Sequence, residues 1–229
     1  MPFMNHRVVA LMPAGGRGDR FGGARAKQFV EVAGRPLLAW TAERLLAAGV
    51  DELVVALPAD SRLPDDAVFA HAVRVVVGGA SRQESVARCL AAVAGAPEDL
   101  VLVHDGARAA VHPEDVRRVI ATVAEGPGAV LGRLSSDTLK RVAGGEIRDT
   151  VDRRELFRAE TPQAFRYEVL ARAMALAERD GFEGTDESSL VERLGSERIL
   201  AVEARHANPK LTEPADLAVV AALLREGVK

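Results

Sequence analysis

The chain is predicted to form an α/β fold, a mostly parallel sheet flanked by helices. Short β-branched apolar runs alternate along it with segments of helical periodicity. Those runs are almost continuously apolar, as strands buried on both faces of a parallel sheet must be. No stretch rich in Pro, Ser or charge divides the 229 residues, so 1–229 reads as a single domain.

The strands expected are Val8 to Met12, Leu53 to Leu57, Val73 to Val77, Leu100 to Val103 and Ala129 to Leu131, with a further one at Ile199 to Val202. A helix is predicted from Pro36 to Ala48, because proline favours the helix start and Gly49 stands where a helix ends; Trp40 is expected in the core. Ser81 and Glu84 have capping-box spacing ahead of the apolar stripe Val86, Leu90 and Val93. Further helices are expected at Pro113 to Ala124, Tyr167 to Arg179, Asp186 to Leu194 and Glu213 to Leu224. Residues 133–153 are polar and carry Gly144-Gly145 between strand-like flanks, which predicts a hairpin arm protruding from a Rossmann-like body.

Composition excludes several classes of function. The longest unbroken apolar run, Leu217 to Leu224, falls far short of the roughly 20 residues a membrane span needs. No membrane association is expected, and with no secretory signal at Met1 to Arg7 a cytoplasmic location is the default. A net charge of -3 argues against a general nucleic-acid binder. The single cysteine, Cys89, lies in a helical apolar pattern and is expected to be a buried core thiol.

Charge is therefore informative only locally. After the first strand runs Pro13-Ala14-Gly15-Gly16-Arg17-Gly18-Asp19-Arg20, and then on to Lys27-Gln28. Glycines let backbone approach a ligand, and successive free amides can cradle phosphate oxygens. Residues 17–27 carry a net +3 on a chain of net charge -3, which suits a triphosphate. The dinucleotide fingerprint fails because Phe21 stands where its last glycine belongs, and no Lys-Ser/Thr pair follows a glycine as a Walker loop requires. Only four of the 30 basic residues are lysines, and Lys27, Lys140 and Lys210 fall in motif-like segments.

The fourth strand leads into His104-Asp105-Gly106-Ala107-Arg108. A carboxylate at the carboxyl end of a central parallel strand lies where such sheets bind ligands, and together with triphosphate oxygens it could hold Mg2+. Asp105 is accordingly the metal candidate, with an Asp-Gly turn as the plain alternative. His104 is expected to be structural, and the five histidines show no metal-ligand spacing.

Taken in order, these segments resemble the 2-C-methyl-D-erythritol 4-phosphate cytidylyltransferase family of the non-mevalonate isoprenoid route. The resemblance runs through the glycine-rich loop with Arg20 and Lys27-Gln28, Gly78-Gly79 with Arg82 and Ser85, and His104-Asp105-Gly106-Ala107-Arg108. It continues through Asp137-Thr138-Leu139-Lys140, Val151-Asp152-Arg153, Thr161-Pro162-Gln163, Thr185-Asp186-Glu187 and Asn208-Pro209-Lys210. The resemblance implies a nucleotidyltransferase fold and a reaction of CTP with a small polyol phosphate, giving a CDP-alcohol and pyrophosphate. It implies Arg20, Lys27, Arg153 and Lys210 as catalytic residues, and Asp105 as the Mg2+ ligand. Nucleotide would be held by Ala14, Gly15, Gly16, Gly18, Gly79, Ala80, Arg82 and Ser85. The polyol phosphate would be held by Asp105, Arg108, Thr138, Arg153 and Thr185, with Thr138 and Arg153 on an arm exchanged in a homodimer. Gly15, Ala26, Ala109, Phe157 and Glu160 depart from the family's usual residues without removing a charged group given a role. Ribitol 5-phosphate cytidylyltransferase, or a nucleotide-binding regulator without turnover, is the alternative reading.

The chemistry agrees with the residues. A phosphate monoester has its second pKa at about 6, so the attacking oxygen is already an anion near neutral pH and needs no general base. Catalysis reduces to aligning two anions and neutralising charge at the α-phosphorus. Replacing Lys27 by Ala is therefore expected to lower turnover by about 100-fold or more, the usual cost of one preorganised charge-stabilising group. Near wild-type turnover in a folded variant, by pyrophosphate release, would remove Lys27 from the mechanism.

Overall fold

The computed structural model describes residues 6–15, 29–70 and 73–226. The elements run β1 (Val8–Pro13), β2 (Glu31–Val32), β3 (Arg35–Pro36), α1 (Leu37–Ala47), β4 (Glu52–Leu57), β5 (Val73–Val77), α2 (Arg82–Ala91), β6 (Leu100–Val103) and α3 (Pro113–Ala124). They continue with β7 (Gly128–Leu134), β8 (Leu139–Ala143), β9 (Glu146–Val151), β10 (Phe157–Arg166), α4 (Tyr167–Asp180), α5 (Glu187–Glu192), β11 (Ile199–Glu203) and α6 (Asp216–Glu226). The main sheet has the order β11-β7-β10-β6-β1-β4-β5. Its pairings are parallel except that β10 runs antiparallel to both β6 and β7.

Successive residues of the central strands face opposite sides, and the helices take up both sides. Val8, Ala10 and Met12 pack with Leu38, Leu45, Val116 and Ile120 of α1 and α3. Val9 and Leu11 pack with Val86, Cys89, Leu170 and Leu190 of α2, α4 and α5. A third cluster joins Trp40, Leu211, Val220 and Leu224, so α6 closes over the start of α1. Trp40 is buried as expected, and its indole N–H donates to Val32 O at 2.8 Å. Gly49 takes φ of 96° just past α1, the left-handed conformation that glycine alone adopts without strain.

Four expectations are refined. Pro36 is the residue that caps α1, with extended ψ and pairing to Glu31 in a short hairpin; its fixed φ suits that position while the helix itself begins at Leu37. β5 is not buried on both faces, since it is the sheet's edge and leaves Val75 and Val77 exposed. Ser81 caps α2 by accepting from Glu84 N, but the Glu84 carboxylate turns to Ala80 N at 2.7 Å, outside the cap, so the box is only half made. The arm starts later than 133: Arg133 and Leu134 still pair with Arg158 and Phe157 in the sheet, and only β8 and β9 stand apart, joined at Gly144 and Gly145 with φ of 61° and 81°. Those values at both central residues mark the turn that matches strand twist.

The long strand β10 has no counterpart among the expected elements. Its sequence mixes charge, Thr161, Pro162 and Gln163, and a register irregularity between Ala159 and Gln163 breaks the alternation by which a strand is recognised. Its polar residues Glu160, Thr161 and Gln163 are nonetheless buried, and Thr161 and Gln163 hydrogen-bond to the segments that carry Asp105 and Glu187.

Cys89 is fully buried on the sheet-facing side of α2, and burial pushes its thiol up to about 12. Since the thiolate is the reactive form, native protein at pH 8 is expected to resist a thiol reagent, with one equivalent reacting on unfolding in guanidinium. Fast labelling of the folded protein would place Cys89 in an open environment instead.

Candidate active site

Loops leaving the carboxyl ends of the parallel strands converge, the place where open α/β sheets bind ligands. Ala14 N donates to Ala56 O at 2.9 Å and Gly78 N to Leu57 O at 2.7 Å, so the chain after β1 and the chain after β5 meet above the end of β4. A side chain on Gly15 would lie 3.1 Å from Gly78 Cα and 3.3 Å from Ser85 Oγ, which is why two glycines meet there. Ser85, buried in the first turn of α2, accepts from Gly79 N at 3.0 Å and donates to Ser81 O at 2.9 Å. The amides of Gly79 and Ala80 are thus already taken, by Ser85 and Glu84. Gly16, Gly18, Arg20 and Lys27 lie outside the described residues.

Beside this crevice, at the end of β6, the Asp105 carboxylate is held by cations from two other parts of the chain. Arg82 Nε donates to Oδ1 at 3.0 Å, and Lys210 Nζ lies 2.7 Å from Oδ2. Arg108 Nε is 3.8 Å from Oδ2, while its Nη1 donates to Asn208 O at 2.7 Å. Burial alone would raise the Asp105 pKa, but the charges of Arg82 and Lys210 outweigh it and hold the carboxyl well below the usual carboxylate range. Arg82 is fixed from its far end by Glu187, whose two oxygens accept from Nη1 at 2.7 Å and Nη2 at 3.0 Å. Three cations therefore face two carboxylates.

The backbone beneath is pinned by β10. Thr161 Oγ1 accepts from Asp105 N at 3.1 Å and lies 3.1 Å from His104 Nδ1, and His104 Nε2 is 3.2 Å from Arg108 O. Both ring nitrogens of His104 are satisfied, and burial pushes its pKa down to about 4, so it is a neutral structural residue as expected. Asn208 donates to Thr161 O at 2.8 Å, and Leu211 N to Ala107 O at 2.8 Å, which brings Lys210 back over Asp105.

The structure thus brings together Arg82, Asp105, Arg108 and Lys210, with Ala14, Gly15, Gly79, Ala80 and Ser85 along the adjoining crevice. Thr185 is exposed two residues before Glu187. Thr138 and Arg153 are exposed on the arm, where Arg153 Nη1 donates to Ser136 O. Among the described residues no hydrogen bond or ion pair joins either to Asp105, Arg108 or Lys210.

Glu187, Thr161, Gln163 and Asn208 were given no role from sequence. Each belongs to a segment that carried the resemblance, and that was the only signal available. The histidines differ from expectation in one respect. His112 and His206 stack with ring centroids 3.7 Å apart, and with Glu114 they place three potential ligand atoms within 4.8 Å of one another. Each already has a structural partner: His112 caps α3, Arg205 pairs with Glu114 at 2.8 Å, and His206 Nδ1 lies 3.2 Å from buried Asp115. The positive end of α3 and Arg205 both oppose a cation there.

A mostly parallel sheet with a glycine-lined crevice and a carboxylate set among cations at its strand ends defines an α/β nucleotidyltransferase. A model of the family described as 2-C-methyl-D-erythritol 4-phosphate cytidylyltransferase matches residues 8–226, and the chain belongs to that family. It is 40% identical over 235 residues to the enzyme of that name from Acidobacterium capsulatum, covering 96% of this chain and 98% of the relative. It is 42% identical to the one from Cereibacter sphaeroides, covering 95% and 96%. The crystal structure of the Thermus thermophilus enzyme superposes with a TM-score of 0.82 at 36% identity, covering 96% of this chain and 99% of that one. The chain is therefore a cytidylyltransferase of isoprenoid synthesis.

Proposed function

We propose that this cytidylyltransferase joins CTP to 2-C-methyl-D-erythritol 4-phosphate, releasing pyrophosphate, with Mg2+ held by Asp105 and with each site completed by the arm of a second subunit. The observation that carries the reading is the Asp105 carboxylate, kept ionised between Arg82 and Lys210 at the strand ends. It is a single hard anionic oxygen donor, and Mg2+ characteristically takes one or two carboxylates and completes its shell with substrate phosphates and water. The donor fits the ion. When bound, Mg2+ would neutralise charge on the triphosphate.

The remaining work belongs to the chain. Lys210 Nζ lies on Asp105 Oδ2, and an arriving triphosphate would offer that ammonium a second anionic partner. From there Lys210 would supply positive charge where negative charge develops at the α-phosphorus. Arg20 and Lys27 of the glycine-rich loop add to the same neutralisation. The polyol phosphate, already an anion, attacks in line once Arg108, Thr185 and the arm residues Thr138 and Arg153 hold it. The inactive-regulator alternative has no use for so costly an assembly of buried charge. Among the described residues no helix is long and apolar enough to cross a membrane.

Two measurements test these assignments. Activity is expected to require Mg2+, and Asp105→Asn to raise the half-saturating Mg2+ concentration, since a neutral oxygen replaces an anionic one. An unchanged titration would make Asp105 structural.

The second measurement concerns the arm, which exposes Val142 and Ile147 and supports no core of its own. Arg153→Ala and Lys27→Ala chains, each nearly inactive, are expected to recover up to about half of wild-type activity per heterodimer on subunit exchange, because two-fold symmetry leaves one site with both residues intact. Verified heterodimers without recovery would assign Arg153 to its own subunit's site, or to none.

A further inference from the structure

Glu187 is 1% exposed and lies at the start of α5. Its two oxygens receive both terminal nitrogens of Arg82. Arg82 therefore turns its Nε edge to Asp105, where Nε donates to Oδ1 while Oδ2 is bonded by Lys210. A guanidinium and a carboxylate otherwise favour the two-point fork. Asp105, within reach on the same guanidinium, is the partner Arg82 would fork if Glu187 were absent.

The carboxylate is the fixed member of this pair. Asp186 caps α5 and accepts from Gln163 Nε2 at 2.7 Å, and Gln163 Oε1 in turn accepts from Ser188 N at 3.0 Å, which fastens the helix start to β10. From the other side Gln83, next to Arg82 on α2, accepts from Gly184 N at 2.8 Å and donates to Phe182 O at 3.0 Å. Glu187 is thus clamped between β10 and α2. The Arg82 side chain is only half-buried, and its three bonds go to carboxylates alone. Stability alone is a poor reason for such a pair, because desolvating two ions costs about as much as their attraction returns.

We propose that Glu187 is a positioning residue for cytidylyl transfer. It holds Arg82 by both terminal nitrogens and so fixes the orientation in which Nε meets Asp105 Oδ1 while Oδ2 is left to Lys210 and ligand. Without it, the guanidinium is free to turn its two-nitrogen end to Asp105 and compete with Lys210 for Oδ2. This rests on the cytidylyl-transfer reading of the site.

The test is a double-mutant cycle on the full chain, using Glu187→Gln, Arg82→Lys and the double variant, with lysine keeping the charge but unable to form a fork. Two quantities are read: kcat and KM for each substrate, and CTP affinity by calorimetry without the polyol phosphate. In the Arg82 background Glu187→Gln is expected to lower kcat by about tenfold and weaken CTP binding by a similar factor, the scale of one charged hydrogen-bonding interaction. In the Arg82→Lys background the same change is expected to alter either quantity by less than about twofold, because the fork it acts through is already gone.

Equal losses in both backgrounds would overturn the proposal. So would a fall in Tm with kcat and CTP affinity unchanged. If Glu187→Gln does not fold, Glu187→Asp, which keeps the charge and shortens its reach, carries the same cycle. Calorimetry with CTP alone separates this inference from the choice of polyol phosphate: a wild type that binds CTP but does not turn over with the methylerythritol phosphate sinks the substrate assignment and leaves the cycle readable.

Discussion

Asp105 is buried at the end of β6 with Arg82 on one oxygen and Lys210 on the other, and a carboxylate buried without such partners would take up a proton. Keeping it ionised makes demands on the whole molecule. Arg82 must come from the first turn of α2, which follows β5. Lys210 must come from the loop after β11, at the opposite edge of the sheet. Glu187 and α5 must then hold the far end of Arg82. One charge thereby fixes how the loops at both ends of the strand order converge, and the glycine contact between Gly15 and Gly78 closes the remaining side.

The reversed strand β10 makes this convergence possible. Lying between β6 and β7, it passes Thr161 beneath Asp105 and Gln163 beneath the start of α5. An all-parallel sheet would present only strand ends at this face, whereas β10 brings mid-strand polar side chains to it. Thr161 and Gln163 accept from the backbone N–H groups of Asp105 and Ser188, which would otherwise be unpaired in a buried place.

A second carboxylate steadies the approach to Lys210. Asp115, on the first turn of α3, accepts from Arg205 N at 3.1 Å and His206 N at 3.0 Å, and the stacked rings of His112 and His206 lie over it. Although burial opposes ionisation, these donors and Arg118 hold its pKa low. The chain that leaves β11 is thereby set on a fixed course through Asn208 to Lys210. The histidine pair, whose residues are far apart in sequence, is accounted for as part of this clamp.

What the sequence by itself determined was whatever is encoded within short windows. The apolar runs of β1, β4, β6 and β7, the cap at Ser81, the approximate helix starts near Pro36 and Asp186, and the Gly144-Gly145 turn all express local backbone and burial preferences, so they were legible. Asp105 was named from its place at the end of a central strand, and Arg108, Arg82 and Lys210 because ordered motifs carried a family resemblance; the structure gathers these four into one cluster. Tertiary structure decided the rest. β10 could not be read, since its buried polar residues answer to partners on β6 and α5 rather than to any alternation of its own. Glu187 looked like an ordinary charged residue in a helix first turn, and only the folding of α5 against α2 made it the counter-charge of Arg82. Hydrophobic pattern is a property of neighbours in sequence, whereas the pairing of buried charges depends on which distant segments share a low-dielectric space, and that is settled only when the sheet order is complete.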